Sequence, residues 1–83
     1  MILLAPVKTE KAIGKIEYEN TLTFVVSMSA TKKTVKEEME KLFSVKVHSV
    51  KTYIGTDGKK YAVIRLGKES KADDVAVKLK MIA

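Results

Sequence analysis

The stretch that decides the fold is Ala30 to Thr52, ATKKTVKEEMEKLFSVKVHSVKT, an amphipathic helix running straight into a basic strand. Over Thr31 to Phe43 the residues Val35, Met39, Leu42 and Phe43 fall at i, i+4, i+7 and i+8. That spacing gathers them into one apolar stripe. Lys32, Lys33, Lys36, Glu37, Glu40 and Lys41 occupy the remaining face, so the helix is expected to lie on a core and show charge to solvent. A Met at such a position is a core residue, and Met39 receives no other role. Val45 to Ile54 then reads as a strand.

Outward from this stretch, the flanking elements follow from local chemistry. Upstream, Thr21 to Met28 (TLTFVVSM) alternates: Leu22, Phe24, Val26 and Met28 on one side, Thr21, Thr23, Val25 and Ser27 on the other. Glu17 to Asn20 reads as the polar lead-in to that strand. Ile2 to Ala5 is a short apolar run closed by Pro6, suited to a sheet edge. Thr9 to Ile13 reads as one or two helical turns, with Thr9 as cap, Glu10 at the positive helix start and Gly14 as the stop.

Downstream, Val45 to Ile54 and Tyr61 to Leu66 are joined through Gly55-Thr56-Asp57-Gly58. The Asp-Gly pair is expected to supply the positive backbone angles of a tight hairpin. Ser70-Lys71-Ala72-Asp73 has the form of a capping box. The helix it opens presents Ala72, Val75, Ala76, Leu79 and Ile82 on one side. The order β-α-β-α-β-β-α predicts an α/β (α+β) domain: a four-stranded antiparallel sheet with helices packed on both faces.

Composition narrows the function. Eighty-three residues make a single domain over 1–83. With 46% hydrophobic and 31% charged residues the chain is globular rather than disordered. It has no cysteine, hence neither disulfides nor thiolate metal ligands. The N-terminal MILLAPVKTEKA lacks the basic start and long apolar run of a signal peptide. No apolar run approaches the ~20 residues that span a bilayer. A soluble, cytosolic protein is expected. Sixteen Lys and Arg against ten Asp and Glu give a net charge of +6, which favours a polyanionic partner. A merely lysine-rich surface is the plain alternative.

Catalytic and metal chemistry find little support. The single histidine, His48, falls mid-strand, where packing or solvent exposure accounts for it. The four glycines, at 14, 55, 58 and 67, form no phosphate-cradling loop. Glu37, Glu38 and Glu40 sit among lysines on an exposed helix face, and Asp73 and Asp74 suit a helix start. One enzyme reading has its parts: in small basic α/β plaits an arginine and an asparagine can bind phosphate for acyl phosphate hydrolysis. Here those would be Arg65 and Asn20, but they lie in separate elements. No cofactor and no enzyme activity are expected.

The cations remain. Lys8 and Lys11 flank the first turn, and Lys32 and Lys36 point the same way from the central helix. Lys46, Lys51 and Thr52 bracket the following strand, Lys59 and Lys60 open the hairpin's return, and Arg65 lies along it. Lysine gives long-reach charge suited to phosphate more than to base edges. Tyr18, Tyr53 and Tyr61 interleave with these and could stack on an unpaired base.

Pro6-Val7-Lys8-Thr9-Glu10-Lys11-Ala12 and the run Ala30 to Thr52 resemble the universal large-subunit ribosomal protein L23 (uL23) family. In that run the matching positions are Ala30, Lys32, Val35, Lys36, Glu40, Leu42, Phe43, Val45, Lys46, Val47, Val50 and Thr52. Lys60 to Leu66 (KYAVIRL) and Ala72-Asp73-Asp74-Val75-Ala76 extend the likeness over nearly the whole chain. The resemblance implies a structural component of the large ribosomal subunit in the cytoplasm, bound to its main rRNA beside the nascent-peptide exit. It further implies a neighbour, ribosomal protein twenty-nine, and a share in the docking platform for the signal recognition particle.

On this reading the candidate RNA contacts are Lys8, Thr9, Glu10, Lys11, Asn20, Lys32, Lys36, Lys46, Lys51, Thr52, Tyr53, Lys59, Lys60, Tyr61 and Arg65. Glu10 could accept from rRNA amino or 2′-hydroxyl groups, or could equally orient Lys11 or stabilise the helix start. The chain departs from the family pattern at Lys51, where Asn is frequent, at Tyr61, where a basic residue is usual, and at Val63, where the family has an aromatic. Its hairpin between Ile54 and Lys59 is short, which is the archaeal pattern. A free, chromatin-type nucleic-acid-binding module is the alternative function.

Overall fold

A computed structural model describes residues 2–78 of the chain. The elements are β1 (Leu3–Pro6), α1 (Glu10–Glu19), β2 (Thr21–Val26), α2 (Lys32–Phe43), β3 (Val47–Ile54), β4 (Lys60–Leu66) and α3 (Ala72–Lys78). The strands form one four-stranded antiparallel sheet in the order β1-β2-β4-β3. Class, element order and sheet agree with the expectation from sequence.

Strand alternation decides where the core lies. Leu22 pairs with Ile64 and Phe24 with Ala62, while Val50 flanks Ile64 on the other side. Leu22, Phe24, Val26, Ala62, Ile64 and Leu66 therefore share one face, and all are buried. α2 covers that face with Val35 and Met39, both fully buried. The rings of Phe24 and Phe43 approach to 6.5 Å between centroids. Leu42, placed by its spacing in the buried stripe, is instead 46% exposed. The stripe narrows at the last turn because Phe43 takes the inward position.

The second face is treated differently. Thr21 and Thr23 point to it and are buried, the only buried polar residues among those described. α1 stands beside them: Lys11, Ala12 and Lys15 line one hollow together with Thr23. Helices thus attend both faces of the sheet.

α1 is longer than expected. Gly14 does not end it; the helix runs on to Glu19, turning the anticipated lead-in to β2 into its last helical turn. Ala12 and Ile16, four apart, bury one side of it and hold the helix through the glycine. The stop is Asn20, in the left-handed region with φ 52°, whose N–H donates to the Lys15 carbonyl.

α2 opens at Thr31 with a reciprocal cap. Thr31 Oγ1 accepts from the Thr34 N–H at 3.2 Å, and Thr34 Oγ1 accepts from the Thr31 N–H at 2.9 Å.

α3 begins otherwise than its sequence suggests. The Ser70 hydroxyl accepts from the Lys46 N–H at 3.0 Å rather than from within its own first turn. Asn20 does the capping from a distance: its Oδ1 accepts the Ala72 N–H at 2.7 Å. Leu79 and Ile82, expected on the buried side of this helix, lie outside the described residues.

The hairpin is also corrected. Of the Asp-Gly pair only Gly58 has a positive φ, 81°. Gly58 N–H donates to the Gly55 carbonyl at 3.0 Å and Gly55 N–H to the Lys59 carbonyl at 2.8 Å. This is a turn closed by one left-handed glycine, the usual three-residue solution.

Candidate nucleic-acid interface

The register fixes what the second face of the sheet displays. Across β2, β4 and β3 it reads Thr21–Arg65–Ser49, then Thr23–Val63–Lys51, then Val25–Tyr61–Tyr53. Arg65, Ser49, Lys51 and Tyr53 are exposed. The polar side of β3 thus places a cation, a hydroxyl and an aromatic in one column, held by the rigidity of the ladder rather than by a loop.

α1 forms the wall of this face. Lys11, Lys15 and Glu19 are four residues apart and so line one side of the helix. Lys15 and Glu19 border a hollow of about 340 Å³ with Thr21, Ser49, Lys51, Tyr53, Val63 and Arg65. Lys11 and Lys15 border a smaller one of about 100 Å³, again with Tyr53. Across the top a shallow depression of about 550 Å³ runs from Val7 and Thr9 over Tyr53 to the hairpin. Tyr53 belongs to all three.

The aromatic pair is braced from below. Tyr53 and Tyr61 stack with centroids 5.3 Å apart and an interplanar angle of 18°. Tyr61 Oη donates to Asp57 Oδ2 at 2.6 Å, and Asp57 Oδ1 accepts the Lys59 N–H at 3.1 Å. The Tyr61 hydroxyl, followed by the Lys59 N–H, holds the Asp57 carboxyl below its ordinary value. The same bond raises the Tyr61 phenol above its own.

The residues expected from sequence separate into groups. Lys11, Lys51, Tyr53, Tyr61 and Arg65 come together on the face just described. Thr9 borders that face and caps α1 by accepting from the Ala12 N–H at 3.3 Å, and Lys8 and Glu10 are exposed on either side of it in the chain. Lys59 is exposed on the hairpin. Lys32 and Lys36 belong to α2, across the sheet from Lys51 and Arg65, and Lys46 lies exposed ahead of β3. Thr52, half-buried, pairs with Ala62 and points to the α2 side.

Two expected contacts have internal partners. Lys60 Nζ donates to the Ala30 carbonyl at 2.6 Å and reaches the Met28 carbonyl at 3.5 Å, closing the loop between β2 and α2. Asn20 Nδ2 donates to the carbonyls of Ser70 at 2.8 Å, Gly67 at 3.3 Å and Leu66 at 3.4 Å. With Oδ1 already on Ala72, its side chain is fully engaged. The Asn20 and Arg65 pair of the acyl phosphate reading is therefore not assembled.

Lys15 is the residue the sequence reading missed. Ending the helix at Gly14 put it in a loop. The Ala12–Ile16 spacing was the signal that would have carried the helix, and Lys15 with it, onto the Lys11 face. His48 is exposed. Among the described residues no group of His, Cys, Asp and Glu could hold a metal ion. No described helix is long and apolar enough to cross a membrane.

Comparison with known proteins gives a consistent result. A family model described as Ribosomal protein L23 matches residues 1–82. A protein of Methanothermobacter thermautotrophicus, described as "Large ribosomal subunit protein uL23", is 45% identical over 78 residues, covering 94% of this chain and 91% of the relative.

Proposed function

The chain belongs to the ribosomal protein L23 family, and from that premise we propose that it binds large-subunit rRNA beside the polypeptide exit tunnel and helps form the docking site for nascent-chain factors. Membership makes it a structural constituent of the large ribosomal subunit in the cytoplasm, of archaeal type, and not an enzyme. The placement at the exit, the neighbouring ribosomal protein twenty-nine and the signal recognition particle as a visiting partner follow the family pattern carried by Pro6 to Ala12 and Ala30 to Thr52.

One observation carries the RNA reading: Lys15, Lys51 and Arg65 ring a single hollow, on a helix and two paired strands. Cations on rigid elements neutralise phosphates without first paying to order a tail. Lys32 and Lys36 add charge on the opposite side of the sheet. Such a distribution suits a protein lodged between RNA segments, where phosphates crowd from more than one direction.

Sedimentation of the native protein from lysate, at low and at moderate salt, tests this. It should travel with the large subunit and remain there through the salt wash. Charge reversal at Lys51 and Arg65, and separately at Lys32 and Lys36, should each weaken retention. Protein left at the top of the gradient, or found on chromosomal DNA, would replace this reading with that of a free nucleic-acid binder.

A further inference from the structure

Tyr53 borders all three hollows, and its ring is stacked on Tyr61. Tyr61 is positioned by its own contacts. Its hydroxyl is tied to Asp57, and its ring lies so close over Gly55 that an added Cβ there would come within 2.6 Å of Cε2. Gly55 thus makes room for the ring that supports Tyr53. The supported ring is itself 49% exposed, on a strand whose neighbouring outward residue is Lys51.

The surroundings select the ligand. The hollow beside the ring is lined by Val63, by the cations Lys15, Lys51 and Arg65, and by Glu19 from the last turn of α1. Its volume of about 340 Å³ lies within the ~300–1,000 Å³ of small-molecule sites. A duplex keeps its base faces inside its own stack and would use only the cations. An unpaired nucleotide offers a π face for the ring, phosphates for the cations, and amino or 2′-hydroxyl donors for Glu19.

We infer that Tyr53 is the stacking platform for one unpaired base of the bound RNA, whose flanking phosphates rest on Lys15, Lys51 and Arg65. This rests on the rRNA reading and adds to it a contact that is not electrostatic. Lys51 and Tyr53 are then two halves of one site, the first for the backbone and the second for the base.

Binding of the full chain to its own protein-free large-subunit rRNA, measured across a salt series, tests the inference with Tyr53→Leu and Tyr53→Phe. Both variants keep an apolar side chain at an exposed strand position. Tyr53→Leu should bind roughly 5- to 100-fold more weakly, the range for losing one base–aromatic stack, with the salt slope unchanged. Tyr53→Phe should bind as the parent does. Tyr53→Leu binding as tightly as a parent that itself binds well would overturn the stacking inference and leave the rRNA reading standing. A parent chain that does not bind the rRNA at all would overturn both.

Discussion

Asn20 Oδ1 receives the backbone N–H of Ala72 at 2.7 Å, so the residue that ends the first helix also begins the last, 52 positions away. The same side chain donates to Leu66, Gly67 and Ser70, the carbonyls that carry the chain from β4 into α3. Its backbone adopts the left-handed conformation, which Gly takes most readily and, among other residues, Asn and Asp.

Replacing Asn20 should therefore cost more than an ordinary half-buried position. Asn20→Gly keeps the backbone geometry and isolates the side chain; about 2–3 kcal/mol is expected from one lost cap and the carbonyls left unpaired. Asn20→Asp retains the acceptor for Ala72 but sets a carboxylate oxygen against the three carbonyls, and should cost at least as much as Asn20→Gly. Urea unfolding midpoints would rank the three proteins.

Gly14 gives a prediction of opposite sign. It lies inside α1 and a Cβ added there meets nothing within 4 Å. Gly14→Ala should stabilise the protein by about 0.5–1 kcal/mol through helix propensity and reduced freedom of the unfolded chain. Thermal unfolding reads this directly, and an unchanged or lowered midpoint would refute it.

The contrast between these two residues shows what local sequence conveys. β2 was legible because Leu22, Phe24 and Val26 make one side of it apolar, although it stops at Val26 and Met28, expected to continue that line, is exposed. α2 was legible in extent, Thr31 to Phe43 against the observed Lys32–Phe43, because Val35 and Met39 set its buried side. Gly14 was misread because a glycine near a helix end ordinarily marks the stop. Here the burial of Ala12 and Ile16 outweighs about 1 kcal/mol of poor propensity. Ser70 was misread for a different reason. A capping box is a local pattern, whereas the N–H groups of α3 found a partner from the far end of α1. Tertiary geometry of that kind leaves no trace at four-residue spacing. For the site, charge and aromatics were visible, but which lysines share a face depended on the length of α1.

The Tyr61–Asp57 bond predicts how pH acts on the hairpin. Asp57 is lowered from 3.8, so its contribution is present above the unfolded value and is lost as pH falls through the folded one. Tyr61 is raised from 10.0, so its contribution holds below that value and is lost as pH rises through the folded one. In a spectrophotometric titration Tyr61 should ionise above the ordinary tyrosine value of 10.0. Asp57→Asn should bring it back towards that value, and a titration indifferent to that change would count against the bond.

Removing phosphate contacts should alter salt dependence in proportion. Each cation withdrawn from a phosphate lowers the slope of log affinity against log salt by about 0.7–0.9. The double change Lys51→Ala and Arg65→Ala should therefore flatten the slope by about 1.5. Lys60→Met, which removes only a loop-closing ammonium, should leave the slope as it is and lower stability by roughly 1–2 kcal/mol. Equilibrium binding at four or five salt concentrations separates the two outcomes.

The sheet order leaves β3 at an edge, with eight residues from Val47 to Ile54. A newly made chain that has not yet reached its subunit thus offers an open ledge of backbone hydrogen-bonding groups to every other copy. Lys46 and Lys51, exposed just before and along that ledge, make the approach of a second copy a meeting of like charges. The lysines that suit the protein to RNA would then also keep surplus copies from sticking to one another. That protection weakens wherever a stray polyanion masks their charge.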